Sequence, residues 1–259
     1  MSNYKKLNNQ PLKLVLAEFR FSPVLKMESY IPNLQDSLRH QYPLFTKSSE
    51  QSIRVQPNGI SMESHDLWVF QSENKRDAVE IDQNRIVVYT SDYPRFEGFF
   101  ERCRKLIELL KTEVNPSLIQ RIGLRYCDQI ILDEEDSIEQ LVEPSLIAPE
   151  SISSLGVLEH RQNEISIASN SGRLIIRSIH GVNRLAFMPD VQKLPVLVDI
   201  DDTQSERIIL DFDHFCDTGE EGILFEPPAI LARLKDLHEP AREAFWNITT
   251  DYARNERWS

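Results

Sequence analysis

Acidic residues are concentrated between positions 199 and 217. This stretch contains Asp199, Asp201, Asp211, Asp213 and His214. Alternation along a strand places Asp211 with Asp213 on one face, and a strand over 195–200 would do the same for Asp199 and Asp201. If the two strands pair, the carboxylates and the imidazole share one face, and such ligands suit Mg²⁺ or Mn²⁺. One hypothesis is therefore a metal-dependent hydrolase or nuclease.

The same alternation is typical of a sheet with one solvated face. Leu210 and Phe212 would then form the buried face, and the carboxylates would be solvated. A solvated acidic surface favours docking of a basic protein. The candidate partner-binding residues are Asp133, Glu134, Glu135, Asp211 and Asp213.

Familiar catalytic motifs fail on spacing. His238-Glu239 resembles the start of a zinc-protease helix, but the second histidine, required four positions after the first, is replaced by Arg242. Both residues are then expected on a helix surface. The sequence contains no phosphate-binding loop, nucleophile elbow or dinucleotide glycine pattern. We predict no catalytic residue and no cofactor.

Three arginines lie in or beside apolar strands. Arg20, Arg121 and Arg125 each need a carboxylate partner if they are buried. Glu18 and Asp128 are near in sequence. We expect structural ion pairs rather than an anion site.

Composition limits the class of partner. The chain has 259 residues and a formal net charge of −12, which disfavours a nucleic-acid backbone and suits a basic protein. Cys103, Cys127 and Cys216 are widely spaced, which indicates reduced thiols and a cytoplasmic protein. No secretory signal and no apolar run of membrane-spanning length are expected.

The order of predicted elements is the same in two parts of the chain. After a flexible segment 1–9, residues 10–118 and 119–259 each give strand, helix, strands and a long amphipathic helix. The helical stripes include Phe99, Cys103 and Ile107 in the first half and Leu234, Leu237 and Ala241 in the second. Pro240 should kink or split the last helix.

These elements predict an α+β fold with mainly antiparallel sheets covered by long amphipathic helices. Strands are predicted over 155–159, 164–168, 173–179, 184–188, 195–200 and 207–215 in the second half. The two sheets are expected to join edge to edge, because isolated edges invite unwanted pairing. The two tandem halves would then contribute to one larger sheet.

Three passages together carry a resemblance. They are 11–21 (PLKLVLAEFRF), 121–126 (RIGLRY), and Leu237-His238-Glu239 followed by Phe245 and Ile248-Thr249. They resemble a sporadically distributed family of uncharacterised bacterial proteins of about this length. The resemblance implies no catalytic residues. Patchy distribution is typical of genes that move between strains, including toxin–antitoxin and phage-defence genes.

We therefore predict a non-enzymatic protein-binding module, either a toxin-neutralising protein or a subunit of a phage-defence complex. A homodimer is included among the expected assemblies. The metal-dependent hydrolase or nuclease is the alternative. A third hypothesis is a small-molecule sensor with a pocket between sheet and helices.

Overall fold

The computed structural model describes residues 4–5, 7–56, 59–134, 136–191, 193–219 and 221–259, except for the side chains of 50–56, 59–65, 150 and 153. The elements up to residue 113 are β1 (Leu12–Phe21), α1 (Met27–Leu38), β2 (Leu44–Gln56), β3 (Gly59–Gln71), β4 (Asp77–Ile81), β5 (Arg85–Thr90) and α2 (Arg95–Glu113). The later elements are β6 (Leu118–Ile131), α3 (Ile138–Leu141), β7 (Arg161–Ser169), β8 (Gly172–Asn183), β9 (Ser205–Asp217), β10 (Ile223–Leu224) and α4 (Pro227–Ile248).

The described strands form one antiparallel sheet in the order β2-β3-β4-β5-β1-β6-β9-β8-β7, with β10 also paired to β6. Helices and a large antiparallel sheet together confirm the predicted α+β class. β1 and β6 pair in the middle of the sheet, with Ala17 opposite Leu124. The sheet is therefore continuous across the predicted boundary at 118/119.

Strand β1 shows how the sequence forms the two faces of the sheet. Val15, Ala17 and Phe19 alternate onto one face and are wholly buried in the main core. This face, called here the helix face, packs against α2 and α4 through apolar residues such as Phe99 and Leu234. Alternate burial along a strand and a 3.6-residue stripe along a helix are the patterns that predicted these elements.

The opposite face, called here the loop face, is covered in part by the segment 184–204. Leu14 and Cys127 on this face pack with Val196 of the segment. The backbone of Asp201 and the side chain of Gln129 bond each other, with Asp201 N donating to Oε1 at 3.1 Å and Nε2 donating to the Asp201 carbonyl at 2.9 Å. Segment 184–204 thus shields part of the loop face from solvent, although none of the described helices lies on this face.

Three predicted strands are not strands. Residues 184–188 and 195–200 belong to the irregular covering segment, and 155–159 lies in a helical turn and the loop after it. Their alternation reflects packing against the loop face and neighbouring loops rather than strand pairing.

Helix α4 begins at Pro227 and continues through Pro240 to Ile248, so Pro240 does not split it. Proline removes one backbone donor and crowds the preceding turn. His214 supports this turn from the sheet, with its Nδ1 2.7 Å from the carbonyl oxygen of Leu237. A side chain from β9 thus contacts the backbone of α4 one turn before the proline.

The N-terminal segment contacts the last part of the chain. Leu7 is buried, and the backbone N–H of Asn9 donates to the carbonyl of Trp258 at 3.2 Å. The ring of Tyr4 lies 5.0 Å from that of Trp246. The flexibility of 1–9 stays a prediction, as do the two tandem halves.

Candidate ligand-binding site

The five residues of the predicted metal site do not converge. Alternation along β9 puts Asp211 and Asp213 on the loop face but His214 on the helix face, where it bonds α4. Asp199 is exposed and pairs with Arg76 at 2.6 Å. Asp201 accepts from the backbone and hydroxyl of Thr203. The expectation that all five share one face is therefore wrong.

Within the described part of the chain, no group of three or more His, Cys, Asp or Glu residues is arranged to hold a metal ion. The predicted pairing of strands would have been needed to bring Asp199 and Asp201 to the others. Because 195–200 is irregular, their carboxylates turn to local partners instead.

Asp211 lies inside a buried ion pair and not on a solvated face. Its side chain is 0% exposed and accepts from Nε of Arg125 at 2.6 Å, while Arg125 also binds Asp190 at 2.9 Å. Arg177 approaches the same carboxylate at 3.4 Å. The prediction of a solvated Asp211 is wrong, because segment 184–204 carries Asp190 over the loop face. A partner could reach Asp211 only by opening this cluster.

Asp213 is half-buried next to the same cluster, and burial raises the pKa of its carboxyl. The charges of Arg125, Arg121 and Arg177 oppose that shift. A role for Asp213 in partner binding stays a prediction.

The predicted acidic loop is partly neutralised. Asp133 and Asp136 both pair with Arg257, the latter at 2.8 Å. Glu134 is exposed, and Glu135 lies outside the described residues. Partner binding by Asp133, Glu134 and Glu135 stays a prediction, with less free negative charge at Asp133 than the sequence implied.

The prediction of structural ion pairs at the strand arginines is confirmed. Arg20 pairs with Glu18 at 2.8 Å, and Arg121 pairs with Asp217 at 3.2 Å. Arg125 binds Asp211 and Asp190, as above. Asp128, one of the two proposed partners, is not used, because it lies on the helix face and the arginines lie on the loop face.

A cavity of about 240 Å³ lies between the helix face and α4. We call it the α4 pocket. Its floor comes from β6 and β9, one wall from the start of α2, and its cover from α4 and the N-terminal segment. Its lining includes Tyr93, Phe96, Tyr126, Asp128, Phe212, His238, Ala241, Phe245 and Trp246, with Lys5, Arg95, Glu97 and Arg242 among the charged residues.

His238 is held on one side of the α4 pocket by two contacts. Its ring stacks on Phe96 with centroids 3.8 Å apart and planes 6° apart. Its Nδ1 lies 2.8 Å from the hydroxyl of Tyr126, which lies 3.4 Å from the hydroxyl of Tyr93. Burial, aided by Arg242, lowers the pKa of His238 to about 3, so this imidazole is neutral at pH 7. The expectation of a helix-surface histidine is wrong.

Asp128 is the most unusual group of the α4 pocket. It follows Tyr126 by two positions on β6, so both side chains lie on the helix face. The residue is 3% exposed and lines the pocket. No hydrogen bond or ion pair joins its carboxylate to a described residue, and its oxygens are not fully enclosed. Burial, with the nearby charge of Asp211, raises the pKa of Asp128 to about 8. A carboxyl whose pKa is raised so far that it stays mostly protonated at neutral pH is typical of ligand or catalytic sites.

Basic residues lie at the edge of the pocket. Lys5 and Arg95 are exposed, and the guanidinium of Arg242 lies 4.2 Å above the ring of Tyr4 while pairing with Glu239. Arg95 has a positive φ of 73°, rare for a residue with a side chain, at the first position of α2. Such strained backbone is enriched at functional sites.

No pattern in the sequence predicts a ligand-binding role for these pocket residues. Tyr126 and Asp128 alternate on one strand, and His238, Ala241 and Phe245 follow helical spacing, so each pattern is visible in the sequence. Their convergence depends on which face of β6 meets α4, and that is a tertiary property.

No protein-family model matches the sequence, and no curated protein resembles it significantly. The resemblance to a sporadically distributed bacterial family therefore stays a prediction. Among the described helices, none combines the length and apolarity needed to cross a bilayer.

Proposed function

We propose that this chain binds a small organic molecule in the α4 pocket. The observation that carries the proposal is Asp128, a buried carboxyl that faces a largely apolar cavity and has no partner among the described residues. A carboxyl that is almost buried and can reach only the pocket loses much of its hydration, and such groups are rare in folded proteins. A ligand that supplies the missing hydrogen bond would account for keeping an aspartate there.

The size and walls of the α4 pocket support a small ligand. At roughly 30 Å³ per water molecule, 240 Å³ corresponds to on the order of eight waters. Phe212 and Phe245, whose centroids lie 6.1 Å apart, and Trp246 provide aromatic surface. Apolar walls with a few convergent polar groups are the usual composition of a binding pocket.

The proposal can be tested by filling the pocket. Ala241 is 1% exposed and lines the cavity, so Ala241→Leu should occupy ligand space. Ala229→Leu makes the same substitution at an exposed position of the same helix. A fragment library would be screened by thermal shift and by the fluorescence of Trp246, which lines the pocket.

We expect fragments that stabilise the wild type and the Ala229→Leu variant but not Ala241→Leu. Overpacking costs about 1–3 kcal/mol, so the folding of Ala241→Leu must first be verified by circular dichroism and urea unfolding. If no fragment binds the wild type in a way that Ala241→Leu blocks, the proposed function is wrong.

A second candidate function is protein binding, as predicted from the acidic composition. One observation favours it: β7 ends the order of the sheet, and its Ile165 and Ile167 are 45% and 42% exposed. An exposed strand edge can pair with another chain. The partner would be a toxin, a subunit of a defence complex or a second copy, and a basic partner would suit the net charge.

This candidate is tested by placing a lysine on the strand. Co-purification from the native cells would compare Ile165→Lys with Glu134→Lys, which is the matched change on the acidic loop. Loss of one defined partner with Ile165→Lys alone would identify the strand as the contact. If both variants co-purify with the same proteins as the wild type, neither surface is the partner contact.

We also propose that the two halves are tandem repeats of one unit. In support, each half opens with a strand that pairs with a later strand of its own half, β1 with β5 and β6 with β9. Each half also ends in a long helix, α2 or α4, and these two helices are in contact.

A further inference from the structure

Asp128 differs from the other deeply placed carboxylates that are described above. Asp211 is matched by Arg125, and Asp136, with a side chain 4% exposed, is matched by Arg257. Glu80 pairs with Arg85 at 3.0 Å. In each case the fold supplies the counter-charge. At Asp128 no described residue supplies a counter-charge, although the α4 pocket gives room for one.

We propose that the α4 pocket binds a small organic amine, with its protonated nitrogen on the carboxylate of Asp128 and its apolar body against the aromatic walls. This inference rests on the proposed function and names its ligand class. An ammonium group has only donors, and a carboxylate has only acceptors. The ligand would complete a charge pair of the kind that the protein builds internally at Asp211.

The walls around Asp128 suit a cation. A cation gains energy above the face of an aromatic ring, and more when water is excluded. Tyr126 and Phe212 are register partners on the floor, and Phe245 packs against Phe212 at a steep angle of 70°. Trp246 lies among the lining residues contributed by α4. An amine next to Asp128 would therefore meet π surface rather than competing donors.

The pocket also contains basic residues, which would repel a cationic ligand if they lay close to Asp128. Titratable groups lining it are Tyr4, Lys5, Tyr93, Arg95, Glu97, Tyr126, His238 and Arg242. Among the described residues, Asp211, behind the sheet, is the charged group that shifts the pKa of Asp128, and no basic residue of the lining lowers it. Lys5 and Arg95 are exposed and remain solvated without a ligand, whereas Asp128 is only 3% exposed.

Amine binding would be coupled to proton release. With a pKa of about 8, roughly nine in ten Asp128 carboxyls are protonated at pH 7. A bound ammonium favours the ionised form, so binding would expel close to one proton per ligand. An acid-bearing or neutral ligand would give no such release from this group.

The experiment compares amines with carboxylates of the same body. Tryptamine and indole-3-propionate form one pair, and phenethylamine and 3-phenylpropionate form the other. Each is titrated into the wild-type chain by calorimetry at pH 7, in two buffers with different ionisation enthalpies. The variants are Asp128→Asn and, as the matched control, Asp213→Asn, a half-buried carboxyl on the opposite face.

We expect at least one amine to bind more tightly than its carboxylate partner and to release close to one proton. Asp128→Asn should lower the affinity for this amine by at least about tenfold, because a charge-assisted contact is lost. The same substitution should abolish proton release. Asp213→Asn should bind as the wild type does. Proton release is measured on the wild type, so the test holds even if Asp128→Asn folds poorly.

Two results would overturn the inference. One is that neither amine binds more tightly than its carboxylate analogue, and the other is amine binding without proton release. If neutral or acidic fragments still bind in a way that Ala241→Leu blocks, the pocket remains a binding site and only the ligand class is wrong. If nothing binds there at all, both proposals fail.

Discussion

Tyr126 of β6 and His238 of α4 join the sheet to its covering helix, with 2.8 Å between the hydroxyl oxygen and Nδ1. The contact is buried, and Phe96 closes the other side of the imidazole. A neutral histidine in such a place stabilises the fold only while it stays neutral. The site is therefore sensitive to acid.

Acid should destabilise the protein through His238. Its pKa falls from 6.5 unfolded to about 3 folded, so the unfolded chain binds the proton more readily between these values. The contribution of neutral His238 to the free energy of unfolding is complete above pH 6.5. It is lost as the pH falls toward 3, by about 1.4 kcal/mol per pH unit at most. Urea unfolding of the wild type and of His238→Gln between pH 7 and pH 4 would measure the difference.

His238→Gln should reduce this pH dependence, since glutamine does not titrate. His40→Gln, at an exposed position, is the matched control and should keep the wild-type dependence. Equal pH dependence in all three proteins would exclude His238 as the cause.

Asp128 predicts the opposite dependence at higher pH. Its pKa rises from 3.8 unfolded to about 8 folded, so the folded chain holds the proton more tightly. The contribution of protonated Asp128 to the free energy of unfolding is complete below pH 3.8. It is lost as the pH rises toward 8, by about 1.4 kcal/mol per pH unit. Relative to the wild type, Asp128→Asn should therefore gain stability from pH 5 to pH 7.5 in chemical unfolding. A constant difference over that range would contradict the raised pKa.

The buried pair of Arg125 and Asp211 should be costly to break. Arg125→Leu leaves a wholly buried carboxylate with the 3.4 Å contact to Arg177 and the thiol of Cys127, which donates to it at 3.3 Å. We expect a loss of about 3 kcal/mol in the free energy of unfolding, as for other uncompensated buried charges. Arg20→Leu removes a partly exposed pair of the same type and should cost less than about 1 kcal/mol. Similar losses in the two variants would show that the Asp211 cluster is not a dry ion pair.

Gly172, at the start of β8, should not accept a side chain. Its φ is +154°, and a Cβ there would overlap the carbonyl of Phe215 on β9. Gly156 has a similar φ of +149° but nothing within 4 Å. Both alanine variants have a strained backbone, at about 1–3 kcal/mol, and only Gly172→Ala adds a collision. Thermal unfolding should show Gly172→Ala as the less stable variant by a clear margin, and equal midpoints would refute the close approach.

The elements that carry long apolar patterns were predictable from the sequence. The stripe through Phe99, Cys103 and Ile107 lies in α2 and faces the core. The run 121–126 lies within β6. In both cases the local period and the tertiary burial agree, so one sequence contains enough information.

The sequence was misleading where the loop face is covered by irregular chain. Alternation in 195–200 resembles a strand, but Val196 alternates because it packs on Leu14 and Cys127. Asp211 was expected in solvent for the same reason, since nothing in the sequence indicates that segment 184–204 carries Asp190 across the sheet. Irregular segments follow the surface that they cover and have no period of their own.

The α4 pocket could not be inferred from local patterns. Asp128 is only three positions from Arg125, and the sequence predicts it as a partner of the strand arginines. Strand alternation places it on the other face, where the described residues give it no partner. The strand arginines found carboxylates elsewhere, on β1, β9 and segment 184–204.

Because Ala17 of β1 pairs with Leu124 of β6, β1 gains its second neighbour only after the ribosome has made much of the chain. Until β6 leaves the ribosomal exit tunnel, the nascent protein carries one bare strand edge of β1, and such edges recruit other chains. Contacts between distant positions also slow folding. A shortened product that stops before β6 should therefore depend on chaperones far more than the full-length chain.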